Sequence, residues 1–179
     1  MARYAKDRGF VIKKTPLMGD NVLITLFSMD RGKHIAKAYG LKKIKSRRAS
    51  HVETGNLINF SSYEKSGYAT LGQTELIYGY SKVRRSEIKL QLLFVYLFVL
   101  NKILPENQPE PALFSITTDF FKSLNNKSDF GMNDMLGFFR DLMLAGGFLS
   151  QEKLVSRSFD TLAYVEEVVG SKIDFRYLS

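Results

Sequence analysis

The spacing of the apolar residues changes near residue 85, and this change constrains the fold more than any other feature of the sequence. Before it, short runs rich in β-branched and aromatic residues alternate with Gly, Asn and Asp clusters, a pattern typical of strands joined by tight turns. After it, apolar residues recur every three or four positions, as they do on one face of a helix. We therefore expect an α+β protein in two parts, with a β-domain over residues 1–82 and an α-helical domain over residues 83–179.

The first part of the chain predicts five short strands. They are Phe10–Lys14, Val22–Phe27, Lys33–Tyr39, Leu57–Tyr63 and Tyr68–Tyr78. A longer connection, Gly40–Gly55, joins the third strand to the fourth, and Gly72 inside the last strand indicates a bulge or a sharp bend. This layout predicts an N-terminal five-stranded OB-fold β-barrel. An SH3-like barrel, which also has five short strands, stays open as the alternative.

The second part predicts a helical domain of about four helices. Glu87–Leu104 contains no Gly or Pro and is apolar on most sides, so we expect a buried helix that ends at Pro105. The proline-rich stretch Pro105–Pro111 predicts a stiff linker. Three further helices are indicated by apolar stripes over Leu113–Leu124, Met132–Met143 and Ser158–Val169.

The basic residues are concentrated in the first part. The net charge is +8, but residues 1–85 have a balance of +11 and residues 86–179 a balance of −3. The strong net positive charge of the first half of the chain indicates a polyanionic partner. This partner is nucleic acid or, less favoured, an anionic membrane surface. Because no apolar run approaches the roughly 20 residues of a membrane-spanning helix, we expect no membrane partner.

The densest group of cations lies in the connection between the third and fourth strands, where OB folds carry a ligand-binding loop. The group consists of Lys42, Lys43, Lys45, Arg47 and Arg48, around Ser46. The lysines and arginines can neutralise phosphates, and the serine hydroxyl can donate to a phosphate oxygen. A solvated loop with no ligand is the plain alternative.

The third strand extends this basic surface by its alternation. One face carries Lys33, Ile35, Lys37 and Tyr39. The other face, with small residues that suit a barrel interior, carries His34, Ala36 and Ala38. Including flanking cations, the residues that we predict to bind nucleic acid are Lys13, Lys14, Arg31, Lys33, Lys37, Tyr39, Lys42, Lys43, Lys45, Ser46, Arg47, Arg48, Arg84 and Arg85. The aromatic residues that could stack on bases, or pack instead, are Tyr39, Phe60, Tyr63 and Tyr68.

The sequence contains no recognisable catalytic or metal-binding constellation. It has no cysteine, which excludes disulfides, cysteine ligands and a cysteine nucleophile. Neither His34 nor His51 has a second histidine at metal-ligand spacing. Asp129-Phe130-Gly131 spells the metal-binding tripeptide of kinases without their other motifs, so it predicts only a loop. We therefore expect a binding protein rather than an enzyme, with no metal or cofactor, and the lack of cysteine and of a secretory signal favours the cytoplasm.

Several short segments, taken in order, match one known family. They are Arg8–Lys13, Gly19–Asp20, Ile24–Phe27, Arg31–Lys33, Ala38–Arg47, Thr74–Leu76, Leu104–Glu106, Pro109 and Leu113–Phe114. This ordered set, spread over most of the chain, resembles the RecO family of recombination mediators and DNA repair proteins. Many relatives carry a four-cysteine zinc module, which this sequence lacks. Because Tyr164–Ile173 resembles the family's C-terminus, we expect a complete short member without the zinc module.

The resemblance implies a mediator that binds single- and double-stranded DNA, anneals complementary strands and helps to load the RecA recombinase. The implied partners are RecR, which the barrel helps to contact, the C-terminal tail of single-strand binding protein, and RecA indirectly. For the tail we expect an apolar notch with a cation beside it, and Phe139 and Arg140 are the candidates. The implied location is the bacterial cytoplasm, at the nucleoid. The residues alone leave open an RNA-binding OB module of translation or RNA metabolism, and a scaffold that docks an acidic protein.

Overall fold

The five strands of the first half close into a barrel. In the computed structural model, which describes residues 3–43, 46, 48–65, 68–155 and 159–173, the strands are β1 (Arg3–Pro16), β2 (Val22–Ser28), β3 (Gly32–Ala38), β4 (Leu57–Lys65) and β5 (Tyr68–Tyr78). Their order around the barrel is β1-β2-β3-β5-β4. All pairs are antiparallel except β3 with β5. This topology confirms the OB fold and excludes the SH3-like alternative.

Strand β1 begins seven residues earlier than the sequence predicts, because it pairs with two neighbours in succession. Arg3–Phe10 pairs with β4, and Gly9–Pro16 pairs with β2. At the transition, a Cβ on Gly9 would lie 2.7 Å from the carbonyl oxygen of Phe27, so a residue without a side chain is required there. The charged outer positions of the first half concealed its strand character in the sequence.

The barrel core is made of apolar side chains from all five strands and from the β3–β4 connection. Its fully buried members include Val11, Ile24, Leu26, Ala36, Ala38, Val52 and Ile58. The bulge expected at Gly72 is confirmed, because the β4–β5 register shifts between the pairs Phe60–Thr74 and Ser62–Leu71. A bulge of this kind increases the local twist and bends the strand, which assists closure.

The proline-rich stretch after the first helix, which the sequence predicts to be a stiff linker, belongs to the barrel unit. Leu104–Pro111 groups with the barrel residues, Met1–Gly79, in one compact unit. The Asn107 N–H donates to the Lys33 carbonyl at 2.8 Å, and Glu106 forms a parallel bridge with Lys33. Because β3 pairs with β5 only at Ala36 and Lys37, the start of β3 has an open edge, and this stretch covers it.

The second compact unit, Tyr80–Ile103 with Ala112–Ser179, is helical. After a 3₁₀ turn at Val83–Arg85, its helices are α1 (Glu87–Ile103), α2 (Pro111–Asn126), α3 (Met132–Ala145), α4 (Gln151–Leu154) and α5 (Thr161–Val169). The sequence missed α4, because four residues are too short for a periodic pattern. Helix α5 begins later than predicted, since the Asp160 carboxylate accepts from the Ala163 N–H at 3.1 Å and caps it. The boundary between residues 82 and 83 stays a prediction.

Aromatic packing organises the helical unit around the fully buried Tyr96. Its ring stacks on Phe120 with centroids 3.6 Å apart, and its hydroxyl lies 3.1 Å from the hydroxyl of Thr117. Burial raises the pKa of Tyr96. Phe130, the centre of the kinase-like tripeptide, is buried and packs edge-on against Phe120, so that tripeptide has a packing role.

The contact between Gly32 and the covering stretch can be tested with a matched pair of substitutions. Gly32 and Gly19 both have positive φ, +71° and +65°, but a Cβ on Gly32 would overlap the backbone of Gln108, whereas one on Gly19 meets nothing within 4 Å. We expect Gly19→Ala to lower the free energy of unfolding by about 1 kcal/mol through backbone strain alone. Gly32→Ala should cost at least about 2 kcal/mol more, measured by urea denaturation. Equal losses would contradict the covering role of Leu104–Pro111.

Candidate nucleic-acid interface

The outer face of β3 carries the cations and the ring that the alternation predicts. His34, Ala36 and Ala38 are buried, whereas the residues between them reach the surface. Tyr39 follows the strand with its ring half-exposed, and the Lys37 ammonium lies 4.6 Å from the centre of that ring. The ammonium can bind a phosphate of a nucleic acid, and the exposed ring beside it offers a surface on which a base can stack.

Lys42 fastens two loops together at one end of the barrel. Its ammonium donates to the carbonyls of Leu17 at 2.7 Å and Gly19 at 3.0 Å, and its backbone N–H donates to the Asp20 carbonyl at 3.1 Å. The β3–β4 connection is thereby held against the β1–β2 loop. Two of the three ammonium donors of Lys42 are engaged, which leaves one for a phosphate.

Arg48 ties the same connection to the bulge in β5. Its guanidinium donates to the carbonyls of Leu71 at 3.2 Å, Gly72 at 3.0 Å and Tyr39 at 2.7 Å. A bulge removes ladder partners from nearby carbonyls, and the rigid fork of donors on an arginine satisfies several fixed acceptors at once. These contacts give Arg48 a positioning role in the loop, and its predicted contact with nucleic acid stays a prediction.

The Arg31 side chain contacts buried polar groups of the barrel. One of its terminal nitrogens donates to the Ser62 hydroxyl at 2.7 Å, and its Nε lies 3.7 Å from a carboxylate oxygen of Asp7. The Asp7 side chain is only 2% exposed, so this ion pair is sheltered on the acidic side. The sequence missed Asp7, although its inward position in β1 follows from the alternation of the longer strand.

His34 completes this polar cluster. Its Nδ1 lies 3.3 Å from the Gly32 carbonyl, and its Nε2 lies 3.5 Å from an Arg31 nitrogen. In the neutral tautomer that donates to Gly32, Nε2 is free to accept from the guanidinium. Burial, and secondly the positive charge of Arg31, lower the pKa of His34. The Asp7 carboxylate acts in the opposite direction.

The remaining lysines of the barrel differ in their freedom to bind. Lys14 forms an ion pair with Glu53 at 2.8 Å. Lys13 and Lys43 are exposed, and their side chains make no ion pair or hydrogen bond with another part of the described chain. Lys13 and Lys43, together with Lys37, are therefore the cations best placed to meet a phosphate.

Five further predicted residues stay predictions. Ser46 is half-buried, and its N–H donates to the Lys43 carbonyl at 2.9 Å. Lys45 and Arg47 lie outside the described residues. Arg84 and Arg85 are exposed, but they lie on the 3₁₀ turn of the helical unit.

The aromatic candidates separate by burial. Phe60 is 3% exposed and packs against the His34 ring at 5.5 Å, so it belongs to the core. Tyr63 is 46% exposed and points outward, and the side chain of Tyr68 lies outside the described residues. Tyr4, which the sequence analysis did not single out, is 57% exposed. The extension of β1 to Arg3 is the signal that identifies it as an outward strand residue.

A cleft of about 740 Å³ opens on the barrel where β1, β4 and β5 adjoin the β3–β4 connection. Its lining residues are Lys6, Asp7, Arg48, His51, Asn59, Phe60, Ser61, Gln73, Thr74 and Glu75. Amides, hydroxyls and both signs of charge meet here, so the cleft offers donors and acceptors rather than a purely cationic surface. No sequence motif pointed to it, because its residues come from four separate segments.

The peptide-binding candidates on the helical unit have unequal access. Phe139 is fully buried, with its ring centre 6.3 Å from that of Tyr96, so it is a core residue. Arg140 is exposed, and its Nε lies 3.4 Å from the Leu136 carbonyl. On α1, by contrast, the Phe98 ring is 38% exposed, with the Lys102 ammonium 5.9 Å from its centre.

The described residues contain neither a candidate metal site nor a candidate membrane-spanning helix. They contain no group of three or more His, Cys, Asp or Glu side chains that is arranged to hold a metal ion. None of their helices is long and apolar enough to cross a membrane.

The barrel topology and the basic, aromatic-bearing third strand define an OB-fold protein with an appended helical unit. Residues 1–80 match the family model described as recombination protein O, N-terminal. The chain is 27% identical over 124 residues to the DNA repair protein RecO of Listeria monocytogenes serotype 4b, which covers 69% of this chain and 49% of that protein. It is 27% identical over 139 residues to DNA repair protein RecO of Exiguobacterium sibiricum, covering 78% and 55%.

A similar match, 26% identity over 123 residues, is found with DNA repair protein RecO of a Thermoanaerobacter species, covering 69% of this chain and 50% of that protein. These matches confirm the resemblance to the RecO family, and residues 1–80 are similar to the N-terminal domain of that family. The chain spans about half the length of the curated relatives that it matches.

Substitution of Arg48 and of Lys43 distinguishes a cation that stabilises the fold from one whose side chain is exposed and unpaired. We expect Arg48→Met to lower the free energy of unfolding by about 2 kcal/mol, because three carbonyls lose a charged donor. Lys43→Met should change it by less than about 0.5 kcal/mol, since the side chain is exposed and unpaired. Urea denaturation of the two variants checks this, and equal stabilities would contradict the positioning role of Arg48.

The cluster around His34 predicts that the barrel loses stability in mild acid. Because the pKa of His34 is lowered in the folded state, the unfolded chain takes up the proton first as pH falls below about 6.5. The folded barrel therefore loses stability progressively as the pH falls from the unfolded pKa of His34 toward its lower folded pKa. We expect a lower urea midpoint at about pH 5.5 than at about pH 7.5, and a smaller difference in His34→Gln. An undiminished difference in that variant would assign the effect to other groups.

Proposed function

We propose that this protein binds DNA through the outer face of β3 and the loops beside it, and that it acts in DNA repair by homologous recombination. The observation that carries this proposal is the Lys37–Tyr39 pair, in which an ammonium and a half-exposed ring stand together on an outer strand of an OB barrel. The similarity to DNA repair proteins named RecO supports the same role.

The proposed activity is the annealing of complementary strands, which needs no catalytic group. Two single strands repel each other through their phosphates, and lysine ammonium groups reduce this repulsion while counterions are released. An exposed ring can hold a base unpaired and accessible until its complement arrives. Duplex DNA, which is the product, is held by the same phosphate contacts without stacking on the ring.

We further propose that the protein works with RecR and single-strand binding protein to load RecA, in the bacterial cytoplasm at the nucleoid. A tail that ends in an aromatic residue and a carboxylate needs an apolar contact with a cation beside it. The exposed Phe98 and the neighbouring Lys102 on α1 have this chemistry. They replace the buried Phe139 as the aromatic part of the proposed tail site, and Arg140 remains an exposed cation on α3.

The DNA-binding proposal is tested by removing three lysines of the proposed surface, Lys13, Lys37 and Lys43. In Lys13→Gln/Lys37→Gln/Lys43→Gln, we expect weaker binding of a labelled single-stranded DNA and a log–log salt slope that is less steep by about 2, at about −0.7 per phosphate contact. Fluorescence anisotropy at several salt concentrations measures both quantities. Annealing of two complementary oligonucleotides should slow in parallel.

A charge-matched control uses exposed lysines of the helical unit, in Lys102→Gln/Lys122→Gln/Lys153→Gln. It loses the same net charge, so a slope that flattens equally in both variants would contradict a specific path on the barrel. A wild-type protein that prefers RNA to DNA of the same sequence would instead favour an RNA-binding module. No measurable salt-dependent binding to either acid would overturn the proposal.

A further inference from the structure

A row of outward side chains crosses four strands of the barrel and starts at the proposed DNA surface. Lys37 on β3 is paired with Thr70 on β5, and Thr70 is paired with Tyr63 on β4. Tyr63 is paired in turn with Tyr4 on β1. Residues that are directly opposite in a sheet point to the same side, so all four side chains share the outer face. With strands about 4.8 Å apart, the row spans roughly 14 Å.

The far end of this row consists of two rings that the fold leaves exposed. Tyr4 and Tyr63 are 57% and 46% exposed. Directly opposite residues on antiparallel strands have their Cβ atoms about 5 Å apart, so the two exposed rings occupy neighbouring positions on the same face. In the row, Thr70 lies between these rings and Lys37, and its side chain is short.

We propose that single-stranded DNA continues from β3 across Thr70 onto Tyr63 and Tyr4, which form a second stacking platform. The proposal rests on the proposed DNA-binding function and extends its path. Stacking on a ring requires an unpaired base, so this part of the path selects single strands over duplex. A DNA strand that is held at two stacking platforms keeps several bases unpaired and separated, and a complementary strand can then pair with them.

The cleft beside the row supplies the remaining chemistry of the path. Lys6 lies two positions from Tyr4 in β1, so it points to the same face, and its ladder partner is Ser61 in the cleft. The Lys6 ammonium is exposed and can meet a phosphate that follows the bases. The Asn59 amide donates a hydrogen bond to the Glu75 carboxylate at 3.2 Å. This carboxylate places a negative charge farther along the cleft. Repulsion from that carboxylate directs the strand along β1, on the side of Tyr4 and Lys6.

The test replaces both rings with β-branched residues that suit a strand, in Tyr4→Ile/Tyr63→Ile. The matched control is Tyr78→Ile, which removes a ring of 55% exposure from β5 eight residues away from the row. The probe is labelled oligo(dT), in a long form of about 20 nucleotides and a short form of about 5, compared with the wild type by anisotropy. Urea denaturation of each variant confirms that the barrel is folded.

We expect the double variant to bind the long probe roughly 10-fold or more weakly, with an unchanged salt slope, because rings contribute stacking and no charge. The short probe should lose less, since the β3 platform alone can hold it. The chain has no tryptophan, so tyrosine emission is directly visible, and its quenching by the long probe should be smaller in the double variant than in Tyr78→Ile.

The outcomes separate this inference from the function on which it rests. If the wild type binds the long probe with a steep salt slope and the double variant binds it equally well, the proposal of a second stacking platform is overturned. The proposal that DNA binds to the outer face of β3 is then unaffected. If the double variant loses affinity together with salt slope, the tyrosines act through phosphate contacts and the stacking proposal is overturned. If the wild type binds neither probe, the proposed function itself fails.

Discussion

The continuous pairing of β1 with two neighbours is the constraint on which the rest of the barrel depends. One strand serves as the partner of β2 over its second half and of β4 over its first half, and it passes between them at Gly9. This double pairing, together with the pairing of β3 with β5, closes the sheet. Closure makes the outer faces of β3, β5, β4 and β1 a continuous surface, so side chains that are far apart in sequence come to share one path.

The arginines and the lysines of the barrel have different roles. Arg31 and Arg48 direct their planar donor groups to fixed acceptors inside the fold, the Ser62 hydroxyl in one case and the carbonyls at the β5 bulge in the other. Lys37 and Lys43 keep strongly hydrated ammonium groups at the surface. This difference follows from the chemistry of the two side chains, because a guanidinium is less strongly hydrated and meets several acceptors in one plane. A basic run in sequence is therefore not equivalent to a basic surface.

The sequence predicted the elements well where the pattern was local. Alternation in β3, the bulge at Gly72 and the apolar stripes of α2 and α3 all follow from the spacing of neighbouring residues. The sequence was less informative where the outcome depends on distant partners. The early start of β1 requires β4, the covering role of Leu104–Pro111 requires the open edge of β3, and the engagement of Arg48 requires carbonyls more than 20 residues away. Tyr4 was missed for the first of these reasons.

The central claim is that single-stranded DNA lies on the outer face of the barrel, and photo-crosslinking tests it most directly. Oligo(dT) bound to the full chain would be irradiated with ultraviolet light, the protein digested, and the peptides that carry a nucleotide mapped by mass spectrometry. Crosslinks are expected in the peptide that contains Tyr39, because the Lys37 ammonium lies 4.6 Å from the centre of its ring and can hold a phosphate there. Crosslinks confined to peptides of the helical unit, with none in the barrel, would contradict this claim.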